Sequence, residues 1–295
     1  LTETMTDDAH YQGDLENGLP HGKGKCHWDG GDGYEGDWLH GRQHGHGTYT
    51  WSNGDVYEGG WINNERSGYG DQTYAATGNR YQGEWLADKK HGRGKLLLAS
   101  GDTYDGPWVE DLKHGELGTY TWSNGDQFVG NWVDDQRQGK GKLTLSGAGE
   151  SYIGDWYKNM KHGQGKYLWS DGTSYDGGWY EDLKQGRGVY RSSTGAIYEG
   201  DWMADKKEGH GKLTTETGDV YVGGWKEDTR CGQGSFRSAR TGDSFEGEWL
   251  NDVKHGKGTY HWATGESYTG GWSEGQMKGH GSFVSATGEI TERDW

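Results

Sequence analysis

The sequence predicts an all-β protein: an elongated, twisted, single-layer antiparallel meander of tandem hairpins. Three observations predict it. An aromatic-x-Gly-x-Trp pattern returns every 23 or 24 residues along the chain. Inside each period, apolar and polar residues alternate with period two, as they do in strands with one apolar face. Between the alternating runs stand glycine-bearing turn segments, clearest as "SNGD" at 52–55 and 123–126.

The period is defined by its opening aromatics: Tyr11, Tyr34, Tyr57, Tyr81, Tyr104, Phe128, Tyr152, Tyr175, Tyr198, Tyr221, Phe245 and Tyr268. Twelve repeats therefore span residues 11–290, after a flank of residues 1–10. Residues 291–295, "TERDW", begin a thirteenth, degenerate repeat. The first repeat departs from the rule by carrying Leu15 where the others have Trp. The tryptophans test the register. Of 17, twelve, counting Trp295 of "TERDW", occupy the repeat-tryptophan position, and Trp28, Trp51, Trp122, Trp169 and Trp262 share one further position.

The repeat that opens at Tyr34 shows each element in turn. "YEGDW" places Tyr34, Gly36 and Trp38 on one side and Glu35 and Asp37 on the other, which is a strand. "LHGRQH" at 39–44 is polar and reads as a loop. "GHGTYTW" then aligns Gly45, Gly47, Tyr49 and Trp51 on one face, a second strand. "SNGD" follows, and Asn-Gly between alternating runs signals a tight turn. "HGELG" at 114–118 carries a one-residue insertion. Glycine weakens a strand unless something approaches its backbone closely, so the rings are expected to lie flat across neighbouring glycines. Burying two or three rings at ~25 cal/mol per Å² would contribute several kcal/mol per repeat. Each repeat should advance the sheet by roughly 10 Å, with contacts only between neighbours.

Composition supports this plan. Hydrophobic residues make up only 29% of the 295, and aromatics alone make up 14%, so a large aliphatic core is excluded. A net charge of −16 opposes general affinity for nucleic-acid phosphates and for anionic lipid. No apolar run approaches the length of a membrane-spanning helix. The start carries no basic-then-apolar leader, and two widely separated cysteines, Cys26 and Cys231, form no disulfide framework. A reducing compartment, the cytosol or its cytoskeletal extensions, is the expectation. Cys26 should pack inward and Cys231 should be exposed. The bounds at Leu1 and Trp295 leave open a regulatory repeat region of a longer signalling enzyme.

The repeat resembles the MORN (membrane occupation and recognition nexus) family pattern, Y-x-G-x-W, a short segment, then G-x-G. "YEGDWLHGRQHGHGTYTWSNGD" at 34–55 matches it almost position for position, and the resemblance covers Tyr11 to Trp295. What it implies is a non-enzymatic scaffold of cytoskeletal, ciliary, flagellar or axonemal assemblies, or of cytoskeleton–membrane junctions. Such proteins hold helical or extended protein segments in a groove and join end to end through terminal repeats. Here that end would be Tyr268, Trp272, Phe283 and Trp295. Phosphoinositide binding, the alternative, would fall to Lys89, Lys90, Lys206 and Lys207 in the basic segments 87–93 and 204–210.

No cofactor and no metal are expected. The recurring Gly-x-Gly lacks the strand-to-helix context of a nucleotide site. The "HG" histidines (His21, His44, His91, His114, His162, His255) recur at one position, and equivalent positions are roughly 10 Å apart, too far to share one ion. Asp37, Glu84, Asp155, Asp201 and Glu248 precede the repeat tryptophans and read as an outer, solubilising row. The aromatic stripe reads as both core and surface. The row Trp61, Trp85, Trp108, Trp132, Trp156, Trp179, Trp202, Trp225 and Trp249 is expected to floor a partner-binding groove.

Overall fold

The computed structural model describes residues 2–6 and 9–295, and its regular structure is strand alone. Two compact units divide the chain, Leu1–Gly147 and Ala148–Trp295. The first holds the strands from Thr2–Thr6 to Gln136–Leu145, and the second those from Glu150–Tyr157 to Ile290–Asp294. Within each, strands pair antiparallel with their sequence neighbours. This is the all-β hairpin meander that the alternation predicts. Of the expected flank 1–10, residues 1, 7 and 8 lie outside the described residues, and Thr2–Thr6 pairs with Ala9–Glu16 as a further strand.

The two turns of each repeat exchange the characters expected of them. "LHGRQH" is no loop: the strand Gly33–Leu39 passes to Arg42–Thr50 through His40-Gly41 alone, and Leu39 pairs with Arg42. Both turn residues have positive φ, 49° and 79°, the two-residue geometry whose twist matches that of the strands. Other repeats place non-glycine residues there, such as Ala87-Asp88 at 48° and 64° and Glu227-Asp228 at 47° and 70°. "SNGD" is the wider turn. Trp51 N–H donates to the Asp55 carbonyl and Gly54 N–H to the Trp51 carbonyl, both at 2.9 Å. Of Asn53 and Gly54, only the glycine has positive φ, 88°, so a glycine closes an ordinary turn instead of both residues forming the mirror-image one.

The core is a ladder of rings on one face. Tyr34 is 1% exposed and lies over the paired residues Gly36 and Gly47. A Cβ on Gly47 would stand 2.3–2.6 Å from the Tyr34 hydroxyl and ring carbons, so only hydrogen fits beneath the side chain. The Tyr34 hydroxyl passes beyond the glycines and donates to the Asp37 carbonyl at 3.0 Å. Trp38 and Trp61 then meet the Tyr34 ring edge-on, at 5.2 and 5.4 Å and 88° and 83°. Trp61 belongs to the next repeat, and its indole N–H donates to the Gly47 carbonyl at 3.1 Å. The glycine that makes room for one ring thus also accepts a hydrogen bond from the next.

Irregular repeats absorb their extra residues locally. At "HGELG" the strand breaks into Leu112–Lys113 and Gly115–Thr121, with Leu117 at φ 58° and 67% exposed. Trp295 takes the repeat-tryptophan place, its ring 5.2 Å from Tyr268 and its backbone bonded both ways with Gly279.

Gly47→Ala should lower unfolding free energy by about 2–3 kcal/mol, because the methyl must displace a buried ring. Gly30→Ala, with open space around the new carbon, should change it by less than about 0.5 kcal/mol. Urea titration of both variants measures the contrast.

Candidate functional site

The aromatic face is held by groups that the alternation alone does not reveal. Nine residues after the opening aromatic stands a cation in nine of the twelve repeats: Arg66, Lys90, Lys113, Arg137, Lys161, Lys184, Lys207, Arg230 and Lys254. Its register follows the repeat as closely as the tryptophans do, and that was the available signal. Lys184 shows its work. The ammonium lies 4.4 Å from the Trp202 ring centre and 5.8 Å from that of Tyr175. Asp205, from the next repeat's tight turn, stands 4.0 Å away and accepts the Lys184 backbone N–H at 2.9 Å. The same backbone clamp joins Asp88 to Arg66, Asp111 to Lys90, Asp135 to Lys113, Asp228 to Lys207 and Asp252 to Arg230. Each clamp rewards an aspartate for a positive φ that would otherwise be unfavourable.

Burial pushes the Lys90, Lys161, Lys184 and Lys254 ammoniums below the usual lysine range, opposed in each by a nearby aspartate. Burial likewise raises the ladder phenols; that of Tyr221 reaches about 12.

The opposite edge is stitched in the same manner. Asp32 accepts the Ser52 N–H, Asp55 that of Ala75, Asp102 that of Ser123 and Asp243 that of Ala263, all at 2.7–2.9 Å. The carboxylates before the tryptophans are not merely a solubilising row, since they fasten the two strands of their own hairpin near the tight turn. Asp37, Glu84, Asp155, Asp201 and Glu248 each accept a backbone N–H nine residues on, at 2.8–3.1 Å, where the strand bulges.

The tryptophan row expected to floor a partner-binding groove differs from the second tryptophan row in exposure. Trp61, Trp85, Trp108, Trp132, Trp156, Trp179, Trp202, Trp225 and Trp249 are buried, at 3–5% exposure. The row is not an open groove floor: Trp85, Trp108, Trp179, Trp202, Trp225 and Trp249, for example, each lie under a cation of the row, whereas Trp61, with Gln43 in that place, borders a concavity. The other tryptophans, Trp28, Trp51, Trp122, Trp169 and Trp262, remain half-buried. In the first unit, Trp28 stacks on Tyr49 at 5.7 Å and 27°, and Trp51 meets Tyr49 at 4.6 Å. Trp28, Tyr49 and Trp51, with Gln43, Asn64 and Arg66, line a concavity of about 600 Å³.

Of the expected dimer end, Tyr268 and Trp272 are core, Phe283 is half-buried and Trp295 is 37% exposed. Of the expected lipid site, Lys90 and Lys207 are folded over rings and paired with Asp111 and Asp228. Lys89 pairs with Glu110 at 3.2 Å, and Lys206 is exposed. Cys26 is buried, as expected, and its thiol is raised by that burial. Cys231 is half-buried instead of exposed, because it lies within the strand Thr229–Arg237 opposite Gly224. Sequence reasoning also missed an exposed apolar position just after the repeat tryptophan. It holds Ile62 and Leu86 in the first unit and Tyr180 and Met203 in the second.

The MORN repeat family model matches this chain twelve times, from residues 11–33 to residues 268–290. The chain belongs to the MORN-repeat family. Proteins of this class are repeat arrays that present an interaction surface to protein or membrane. No curated protein sequence matches it. Among solved structures, similarity extends to the TCP domain of SAS-4 (dCPAP) from Drosophila melanogaster, bound to a Proline Rich Motif of Ana2 (dSTIL). That match has 14% identity over 60% of this chain and 81% of the other, with a TM-score of 0.25. The TCP10 domain of Danio rerio CPAP is similar at 10% identity over 84% of this chain and 99% of the other, with a TM-score of 0.21. Both likenesses are too distant to bear on partners.

The phenols set a pH limit. A group whose folded pKa is raised contributes stability that is complete below its unfolded value and lost as pH rises through the folded value. For Tyr221 that loss begins near pH 10 and runs to about 12, and the other ladder tyrosines, raised in the same direction by burial, add to it. The four depressed lysines act oppositely, adding stability as pH rises toward 10.5, but they are fewer. Thermal melts should therefore show falling stability above about pH 10.5, with tyrosinate absorbance appearing together with unfolding.

Proposed function

We propose that this MORN-repeat protein is a non-enzymatic scaffold of a cytoplasmic cytoskeletal or axonemal assembly, docking helical or extended protein segments on its aromatic face. The observation that supports this most directly is the half-buried cluster of Trp28, Tyr49 and Trp51 around its concavity. Aromatic rings held rigid, with an exposed edge, give contact area at little conformational cost, and such residues dominate protein interfaces. Rigidity is supplied by clamps at both turn edges, so the surface is pre-organised before a partner arrives. The conspicuous lysines and aspartates are engaged in those clamps, which supports a structural use of them over a catalytic one. The engagement of Lys90 and Lys207 weighs against the phosphoinositide alternative.

Affinity capture should recover protein partners from a detergent-insoluble cytoskeletal fraction. Replacing Trp28 and Trp51 together by alanine should weaken that capture at least about tenfold while leaving the strand spectrum intact. Salt-sensitive sedimentation with phosphoinositide vesicles, lost on neutralising Lys89 and Lys206, would support the lipid reading instead.

A further inference from the structure

The first two repeats lack the clamp that joins their neighbours. In the next junctions, a turn asparagine or aspartate accepts a backbone N–H from the preceding repeat: Asn64 from Gln43 at 2.8 Å and Asp88 from Arg66 at 3.0 Å. At the first junction these two positions are Gly41 and Pro20. Glycine has no side chain to accept, and proline has no N–H to donate. One backbone bond remains, from Gly41 N–H to the Pro20 carbonyl at 2.8 Å.

At this junction three potential metal ligands meet. Glu16 ends the strand Ala9–Glu16, His21 lies on Leu19–Trp28, and His40 is the first residue of the second repeat's tight turn. Their donor atoms all lie within 4.8 Å of one another, and among the described residues this is the one place where three His, Cys, Asp or Glu donors converge. Glu16 Oε2 stands 2.9 Å from His21 Nδ1 and 3.7 Å from His40 Nδ1. Ligand atoms on a tetrahedral zinc ion are about 3.3–3.4 Å apart, given bonds of about 2.0–2.1 Å, so these separations bracket the requirement. His21 Nδ1 is shielded from solvent and makes no hydrogen bond, since its close approach to Glu16 is not aligned as one.

Other repeats show that the meeting is built into the fold and that the ligand set is particular to this junction. In the fifth and sixth repeats, the equivalents of His21 and His40 also touch: His114 Nδ1 lies 3.1 Å from Asp134 Oδ1. There the third position is Val109. His44 and His162 likewise have an unpartnered, shielded Nδ1. Their equivalents of Glu16 are Leu39 and Tyr157, which offer no carboxylate. The expectation of no metal compared equivalent histidines along a row. This cluster joins three non-equivalent positions, so row spacing does not govern it.

We propose that Glu16, His21 and His40 bind one divalent transition-metal ion, with zinc the metal best matched to two imidazoles and a carboxylate. The ion replaces the missing clamp and fastens the second hairpin's turn to the first hairpin. Water completes its coordination.

Metal-stripped protein should be titrated with Zn²⁺ against a chromogenic chelator. One equivalent should bind, and Zn²⁺ should raise the melting temperature. Glu16→Gln and His40→Asn should each weaken binding at least about tenfold and abolish the thermal gain. Asn63 occupies the place of His40 in the third repeat at φ 51°, so asparagine suits the turn. His44→Asn should bind as the parent does. The proposal is overturned if the parent takes up no zinc, or if Glu16→Gln and His40→Asn hold it as tightly as the parent. The latter result would mark adventitious binding by surface histidines. Glu16 is exposed on its strand, so Glu16→Gln reports even if His40→Asn disturbs the turn.

Discussion

A tyrosine ring laid over two paired glycines is the contact on which each repeat depends. A sheet that buries only one face needs large side chains to exclude water, and large side chains need somewhere to lie. Gly36 and Gly47 supply that place beneath Tyr34, and the same arrangement recurs beneath Tyr57, Tyr175 and Tyr268. With the ring flat, its edges face along the sheet, and tryptophans from two repeats pack against it edge-on. The indole N–H of Trp61, Trp108 or Trp179 then finds a glycine carbonyl, so that buried donor is paired, while that of Trp85 has no such partner. Phe128 and Phe245 keep the ring without its hydroxyl and are equally buried, which shows that packing is the primary requirement.

The edges of the sheet complete what the ladder begins. Exposed turns are ordinarily the most mobile parts of a hairpin. Beyond the first junction, turns of both rows are tied, one row by aspartates that accept N–H groups from the preceding repeat and the other by carboxylates such as Asp55 of "SNGD". The cation row belongs to the same system. Lys184 covers a tryptophan that would otherwise face water, and Asp205 from the next turn holds it there. Stability is thereby shared between adjacent repeats, as in other linear arrays. The half-buried tryptophans sit on this fastened surface.

Most of the fold was legible in the sequence because glycine, tyrosine and tryptophan each have few reasons to recur at fixed spacing. The glycine-under-ring packing followed from strand alternation alone. The turns were misjudged for a physical reason. Asn-Gly is the strongest short signal of a mirror-image turn, but Ala87-Asp88 and Glu227-Asp228 adopt that turn without glycine because their aspartates are clamped from the preceding repeat. No local propensity encodes such a partner. The site was less legible. Trp85 and Trp249 carry the same letters as a binding surface would, and only the packed structure shows that Tyr57, Tyr221 and the arginines Arg66 and Arg230 leave them covered. The cation row was readable in spacing, yet a lysine near a turn ordinarily means a solvated one.

The account rests on coupling between a ring and the tryptophan of the following repeat. A double-mutant cycle on Tyr175 and Trp202, whose rings are 5.4 Å apart, tests it most directly. Equilibrium unfolding of Tyr175→Leu, Trp202→Leu and the double variant should give an interaction energy of about 0.5–1.5 kcal/mol. The same cycle on Tyr175 and Trp249, two repeats further along, should give less than about 0.5 kcal/mol. Near-zero coupling in the adjacent pair, or equal coupling in both pairs, would contradict the ladder as the source of cohesion.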